Sequence, residues 1–189
     1  MVYRPPFRKQ GDGSRCQWSN CGPASQAMAS HRHRKGVDPR TAGPWPPMPQ
    51  AIRNRISPTS CGGTNLGSND TASIALYASD MWVRYDLPWD TFRSLIQSGR
   101  GAHVAIKYSV IAPTKFDGSP GFTGGHSVYV NERRSSDGAF LVYDPLADGR
   151  RSGIPTAPDW WPANLLKAAA GAWTGSGKID ASFTRDTEA

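Results

Sequence analysis

The stretch Gln17-Trp18-Ser19-Asn20-Cys21-Gly22-Pro23-Ala24-Ser25 places a cysteine where a loop is predicted to become a helix. Asn20 suits the N-cap position, and Cys21, Ala24 and Met28 fall on one face of a helix predicted for residues 21–33. The unpaired amides and partial positive charge of a helix N-terminus favour a thiolate over a thiol. The stretch therefore predicts a reactive cysteine at position 21.

A nucleophilic thiolate needs a histidine that carries a proton, and a third group that holds this histidine in one tautomer. The chain has four histidines. His31 and His33 lie on the predicted helix of Cys21 and point into a charged run, and His103 is predicted at a strand edge without a partner. These three are poor candidates, which leaves His126 as the predicted base.

His126 opens a predicted strand at 126–131, and Asp144 directly follows the next predicted strand at 140–143. Antiparallel neighbours bring the start of one strand beside the end of the other. The pattern therefore predicts that Cys21, His126 and Asp144 converge.

The pattern along the chain changes from helical to strand-like near residue 101. Further helices are predicted at 49–55, from Asn69 or Asp70 to Met81, in a stretch with Pro88 in its first turn and Gly99 just past its end, and at 162–172, and a further strand at 104–110. Helices first and antiparallel strands after indicate an α+β fold, with N-terminal helices packed on a C-terminal antiparallel sheet.

Three motifs are similar, in the same order, to those of C39-like peptidases. They are Asn20-Cys21-Gly22-Pro23-Ala24-Ser25, Gly125-His126-Ser127-Val128-Tyr129-Val130 and Val142-Tyr143-Asp144-Pro145-Leu146. Gly62-Gly63-Thr64-Asn65-Leu66 and Trp89-Asp90-Thr91-Phe92 also look like that group. The resemblance implies a papain-like cysteine peptidase fold over residues 15–172, with an N-terminal extension at 1–14 and a C-terminal tail at 173–189.

The resemblance also implies roles for individual residues. Cys21 is the expected nucleophile, His126 the general base and Asp144 the residue that orients it. The family uses an upstream glutamine whose amide joins the cysteine's own amide in an oxyanion hole. Gln17 is the candidate, with Gln10 in reserve because Gln17 lies only four positions before Cys21. The implied reaction is hydrolysis of a peptide or isopeptide bond without a metal or cofactor.

The net charge of +7 favours anionic surroundings such as nucleic acid, anionic membrane or cell-wall polymers. The basic run from His31 to Lys35 carries no recognisable nucleic-acid motif, so no specific nucleic-acid partner is predicted. Residues 1–17 lack the apolar core of a signal peptide, and Lys107 interrupts the longest apolar run. We therefore expect no membrane span and synthesis in the cytoplasm.

Basic, Trp-rich chains of this kind resemble C39-like proteins encoded by actinobacteria and their phages. That resemblance implies a virion- or tail-associated enzyme whose substrate is a peptide, such as a cell-wall peptide, and whose partners are virion or tail proteins. The alternative is a catalytically silent structural or binding component of such an assembly, because fold does not fix function.

Three cysteines leave at least one thiol unpaired. Cys16 and Cys61 are open to three interpretations: a disulfide, a surface pair or unrelated residues. A zinc site built from Cys16, Cys21, His31 and His33 matches no usual ligand spacing. Cys21 as an inert buried thiol, beside a purely structural His126–Asp144 pair, is the remaining alternative.

Overall fold

The computed structural model describes residues 2–11, 13–33, 43, 45–79, 81–115, 124–147 and 157–184, without the side chains of 112–115. The helices in this part of the chain are α1 Cys21–His33, α2 Pro49–Ile56, α3 Leu66–Tyr77, α4 Trp89–Gln97, α5 Tyr108–Lys115 and α6 Ala163–Thr174. Its strands are β1 Met81–Leu87, β2 Ala102–Lys107, β3 Gly125–Arg133, β4 Phe140–Tyr143, β5 Asp159–Trp161 and β6 Ile179–Thr184.

The six strands form one antiparallel sheet in the order β1-β6-β2-β3-β4-β5. Helices α4 and α6 contribute Phe92 and Leu166 to the largest buried apolar cluster, together with alternate residues of the central strands. Helix α1 contributes Met28 to a second cluster with Tyr129 and Tyr143 of the sheet. Helices therefore pack against an antiparallel sheet, which confirms the predicted α+β fold.

Helix α1 lies between the sheet and the pair α2 and α3. Ala27 on α1 packs with Ile52 and Tyr77 from those helices, while Met28 on the same helix packs towards the sheet. Burial of a side chain such as Met28 stabilises the fold by roughly 1.5–3 kcal/mol. Packing on two sides therefore holds α1, and with it the position of Cys21 at its first residue.

Most predicted elements are confirmed, with shifts of a few residues at their ends. Helix α1 and strand β4 have the predicted bounds, and α2, α4 and α6 lie where short amphipathic stretches indicated them. No helix in the described part of the chain combines the length and apolar character that crossing a bilayer requires.

The helix predicted to begin at Asn69 or Asp70 and to reach Met81 was placed too late. Helix α3 begins at Leu66 because Asn65 caps it, with Asn65 Oδ1 accepting from the Ser68 N–H at 2.7 Å. It ends before Ala78, whose φ of 50° is left-handed. Met81 begins strand β1 instead, and this strand was not predicted.

The strand predicted at 104–110 also ends early, because α5 begins at Tyr108. More importantly, part of the segment predicted as a C-terminal tail lies inside the sheet. Strand β6 pairs with both β1 and β2, and its Ala181 and Phe183 are fully buried. Residues 185–189 of that segment, and Arg34 and Lys35 of the basic run, lie outside the described residues.

The segment predicted as an N-terminal extension, residues 1–14, contacts the sheet side of the molecule. The Gln10 N–H donates to the carbonyl of Pro145 at 3.0 Å, and Arg4 forms an ion pair with Glu132 at 2.6 Å. Residues on both sides of the predicted 15–172 domain therefore take part in its tertiary structure.

Candidate active site

Cys21 is the first residue of α1 and its side chain is partly exposed. The helix begins here because the Asn20 carbonyl accepts from the Ala24 N–H at 2.8 Å. Gly22 is required next to it, since a Cβ at that position would lie 2.4 Å from Thr64 Oγ1. The thiol thus sits at a helix start that is closely packed on one side and open on the other.

His126 and Asp144 form a buried hydrogen-bonded pair at one end of the sheet. His126 Nε2 lies 2.8 Å from Asp144 Oδ1, and both side chains are only 2% exposed. The Leu146 N–H donates to the same carboxylate oxygen at 2.9 Å, which fixes its orientation. The Tyr108 ring meets the imidazole edge-on, with 5.4 Å between ring centroids. The predicted convergence of a strand start and a strand end is therefore observed.

The Cys21 thiol completes this arrangement beside the His126 ring, whose hydrogen bonding and charge lower the pKa of the thiol. Because Asp144 occupies Nε2, the nitrogen left for the sulfur is Nδ1. The backbone N–H groups of Ser127 and Gly22 also lower the pKa of the thiol. The structure thus brings together the partly exposed Cys21 sulfur and the hydrogen-bonded His126–Asp144 pair.

The electrostatics of Cys21 and His126 favour the charged form of both side chains. Burial raises the pKa of the Cys21 thiol, but the hydrogen bond and charge of His126 outweigh burial and lower that pKa below its ordinary value. Burial lowers the pKa of His126, but the Asp144 carboxylate and the Cys21 sulfur raise it to about 10. A thiolate beside an imidazolium is the form in which a cysteine attacks carbonyl carbon.

We expect alkylation of Cys21 by iodoacetamide to continue at pH 6, where an unperturbed cysteine is almost wholly protonated. Its rate should fall only as the pH drops through the depressed pKa. His126→Gln removes the imidazolium, so burial should then raise the Cys21 pKa above its ordinary value. The measurement is the rate of labelling against pH with peptide mapping, and equal rates at pH 6 for both proteins would contradict it.

The two candidate glutamines occupy different environments. Gln17 lies in a short 3-10 turn, Gln17–Ser19, and its side-chain carbonyl accepts from the Gly13 N–H at 3.2 Å. Gln10 is 4% exposed, its Nε2 donates to the Trp18 carbonyl at 3.2 Å, and its backbone is bonded to Pro145, the residue after Asp144. Gln10 is therefore tied to both the loop before Cys21 and the strand end that carries Asp144.

Cys16 and Cys61 form a disulfide, which leaves Cys21 as the free thiol. The bond joins the loop before α1 to the loop between α2 and α3, and Arg15 Nη2 strengthens the junction by donating to the Thr59 carbonyl at 2.9 Å. The zinc alternative fails on this finding, because a disulfide sulfur is not a thiolate ligand. The described residues also contain no cluster of three or more potential metal-binding side chains.

Replacing Cys16 and Cys61 by alanine should lower the free energy of unfolding by about 3–4 kcal/mol, because the crosslink closes a loop with a sequence separation of 45 residues. Urea denaturation without reductant measures this difference. A Cys21→Ala background prevents thiol exchange, and that single variant serves as the control. Coincident unfolding curves would contradict a stabilising role for the disulfide.

Two descriptions of the other histidines were wrong. His31 does not point into the charged run: its ring is buried and stacks between Tyr3 and Trp45. His103 lies on the central strand β2 and has a partner, since its Nδ1 is 3.0 Å from Gln26 Oε1. Burial lowers the pKa of His103 to about 3, so it is a neutral core residue.

Comparison with known proteins supports the fold. No protein-family model and no curated protein sequence matches this chain. Among solved structures it matches a crystal structure from Bacillus anthracis described as a "putative C39-like peptidase", with a TM-score of 0.60 and 100% of each chain covered. The chain has a C39-like peptidase fold. Because the sequences are only 13% identical, the chemistry has to be argued from the site itself.

Sequence reasoning missed one residue of this region, Arg53. It is fully buried on the α2 face that also carries Ile52 and Ile56. The sequence contained a signal for this residue, an arginine on the apolar side of a short helix. Such a position is unusual, because charged residues are rarely buried without a partner. Its contacts lie at the turn before Cys21.

Proposed function

We propose that this protein is a thiol-dependent hydrolase of peptide or isopeptide bonds, in which Cys21, His126 and Asp144 act together. The observation that carries the proposal is a thiol at a helix start that interacts with the His126 ring, which is itself bonded to Asp144 Oδ1 at 2.8 Å. Its agreement with the C39-like peptidase fold supports the assignment. The three side chains come from α1, β3 and the end of β4, so their meeting depends on the tertiary fold.

The proposed reaction starts with attack of the Cys21 thiolate on the carbonyl carbon, which moves the carbonyl electron pair onto oxygen. His126 then donates its Nδ1 proton to the leaving amine as the C–N bond breaks, which leaves a thioester. A water molecule gives a proton back to His126 and attacks the thioester. Cleavage of the C–S bond releases the acid and restores the thiolate, while Asp144 holds the ring throughout.

The oxyanion formed in each step needs hydrogen-bond donors, of which the Cys21 backbone amide is one. We propose Gln10 as the other donor in place of Gln17. Gln10 is buried and its backbone is bonded to Pro145, whereas Gln17 is less buried. The Gln10 Nε2 donates one hydrogen to the Trp18 carbonyl, which leaves its second hydrogen for an oxyanion. A buried donor with a fixed position stabilises developing charge better than a donor in water.

Gln10→Ala should therefore lower kcat by roughly 10²–10³-fold, the usual loss for one oxyanion-hole donor. Gln17→Ala, the matched control, should retain most of the native kcat. Both variants should label at Cys21 as fast as the native protein, because the glutamine acts on the oxyanion and not on the thiolate. A large loss in Gln17→Ala with a silent Gln10→Ala would restore the original candidate.

For the substrate we propose a cell-wall peptide, and for the location a virion or an extracellular setting. Two properties support this choice: the net charge of +7 favours anionic polymers, and a structural disulfide is typical of proteins that work outside a reducing cytosol. The virion and tail partners implied by the resemblance to phage-encoded proteins remain part of this proposal.

The function is tested by incubating the purified protein with peptidoglycan fragments and with a mixed-sequence peptide library. New amino termini, detected by mass spectrometry, should form with the native protein and disappear after treatment with iodoacetamide. Products that persist after complete alkylation of Cys21 would contradict thiol-dependent hydrolysis. Absence of products from every substrate would favour the silent binding component.

A further inference from the structure

Arg53 on α2 is a buried cation that is 1% exposed. Its Nε donates to Asn20 Oδ1 at 2.9 Å, its Nη1 to the Gly62 carbonyl at 2.7 Å, and its Nη2 to the Ser19 carbonyl. Ser19 and Asn20 are the two residues directly before Cys21. One guanidinium therefore fixes the turn that leads into α1 and ties it to the loop after the disulfide.

None of the Arg53 partners is a carboxylate, and no Asp or Glu among the described residues forms an ion pair with it. A buried charge without a counterion is costly. The carbonyl groups of Ser19 and Gly62 supply partial negative charge, but the anionic group that acts on Arg53 is the Cys21 sulfur. Burial lowers the pKa of Arg53, and the charge of Cys21 raises it.

We propose that Arg53 is a positioning residue for Cys21, which holds the Ser19–Asn20 turn in place and stabilises the thiolate with its buried positive charge. This inference rests on the proposed function, because stabilising the Cys21 thiolate matters only if Cys21 is the nucleophile. Within the described structure His126 from β3 lowers the pKa of the Cys21 thiol directly, and Asp144 acts on the thiol through His126. Arg53 from α2 is bonded to the two residues before Cys21.

A purely structural arginine and an electrostatic one make different predictions for two substitutions. Arg53→Gln removes the charge, whereas Arg53→Lys keeps it but loses the planar fork of donors. If charge matters, the pKa of Cys21 should rise in Arg53→Gln and change little in Arg53→Lys. If only the hydrogen bonds matter, both variants should behave alike.

The experiment measures the Cys21 pKa from the pH dependence of iodoacetamide labelling in the full chain. We expect Arg53→Gln to raise that pKa by about half a unit to one unit, which lowers labelling about 3–10-fold at pH values below it. Arg55→Gln, an exposed neighbour on the same helix, is the matched control and should leave the pKa unchanged. Equal pKa values for the Arg53→Gln and native proteins, or equal shifts in Arg53→Gln and Arg53→Lys, would overturn the proposal.

If circular dichroism shows that Arg53→Gln does not fold, Asn20→Asp provides a second test. It keeps the side-chain shape and sets a carboxylate against Arg53 Nε, so that the positive charge is cancelled and the Cys21 pKa should rise. Asn54→Asp, exposed on α2, is its control. An unchanged Cys21 pKa in Asn20→Asp would overturn the proposal. These experiments compare the Cys21 pKa between variants and need no substrate. Their outcome can therefore be distinguished from loss of turnover in Cys21→Ala, which tests the proposed function.

Discussion

Replacing Cys21 by alanine should abolish peptide hydrolysis and leave the fold intact. The sulfur is the proposed nucleophile, and loss of a nucleophile removes the covalent route, so kcat should fall on the order of 10⁴-fold or more. The side chain is small and partly exposed, so the free energy of unfolding should change by less than about 1 kcal/mol. Initial rates and urea denaturation measure the two effects separately.

Cys21→Ser is the matched variant for this prediction. It keeps a hydroxyl in the position of the thiol, but a serine does not ionise beside His126, so it should be nearly as inactive as Cys21→Ala. Native turnover by either folded variant would end the hydrolase proposal. The protein would then be better described as a peptidase-fold binding component.

Replacing Asp144 by alanine should lower kcat by roughly 10²–10⁴-fold, because His126 loses the group that sets its tautomer and stabilises its positive charge. Burial alone then acts on the imidazole, so the pKa of His126 should fall from its raised value. The native rate should decline as the pH rises through about 10, where His126 loses its proton. In the variant this decline should move to lower pH.

Asp144→Asn separates hydrogen bonding from charge. Its amide oxygen accepts from His126 Nε2 as the carboxylate does, so the fold should survive, yet the decline in rate should still move to lower pH because the charge is gone. Asp137→Asn, an exposed carboxylate in the turn before β4, is the control and should match the native profile. An unshifted profile for Asp144→Asn would contradict the role assigned to the charge.

The parts of the site that the sequence predicted are those whose signals are local. Cys21 is preceded by a polar loop and followed by residues with helical spacing, so its position at a helix start could be read from nine residues. His126 and Asp144 required one further step, the pairing of two neighbouring antiparallel strands. The order of the strands along the chain was enough to predict that the two side chains meet.

The parts that were missed depend on contacts between distant segments. Strand β6 lies between β1 and β2, which come much earlier in the chain, since Met81 pairs with Thr184 and Val104 with Ala181. Its short run of Ile179, Ala181 and Phe183 therefore looked like a tail. Arg53 gains its contacts only when α2 meets the loop before Cys21. Gln10 was named only in reserve, because its contacts form when the N-terminal residues meet the same loop. No local pattern encodes such a meeting.

The central claim is that Cys21 and His126 form a thiolate–imidazolium pair, and it can be measured without knowing the substrate. The thiolate absorbs ultraviolet light more strongly than the thiol, so the difference in absorbance between the native and Cys21→Ala proteins reports its ionisation across the pH range. The account predicts that the thiolate is already present well below the ordinary cysteine pKa of about 8.5. A difference signal that appears only at or above that pH would contradict it.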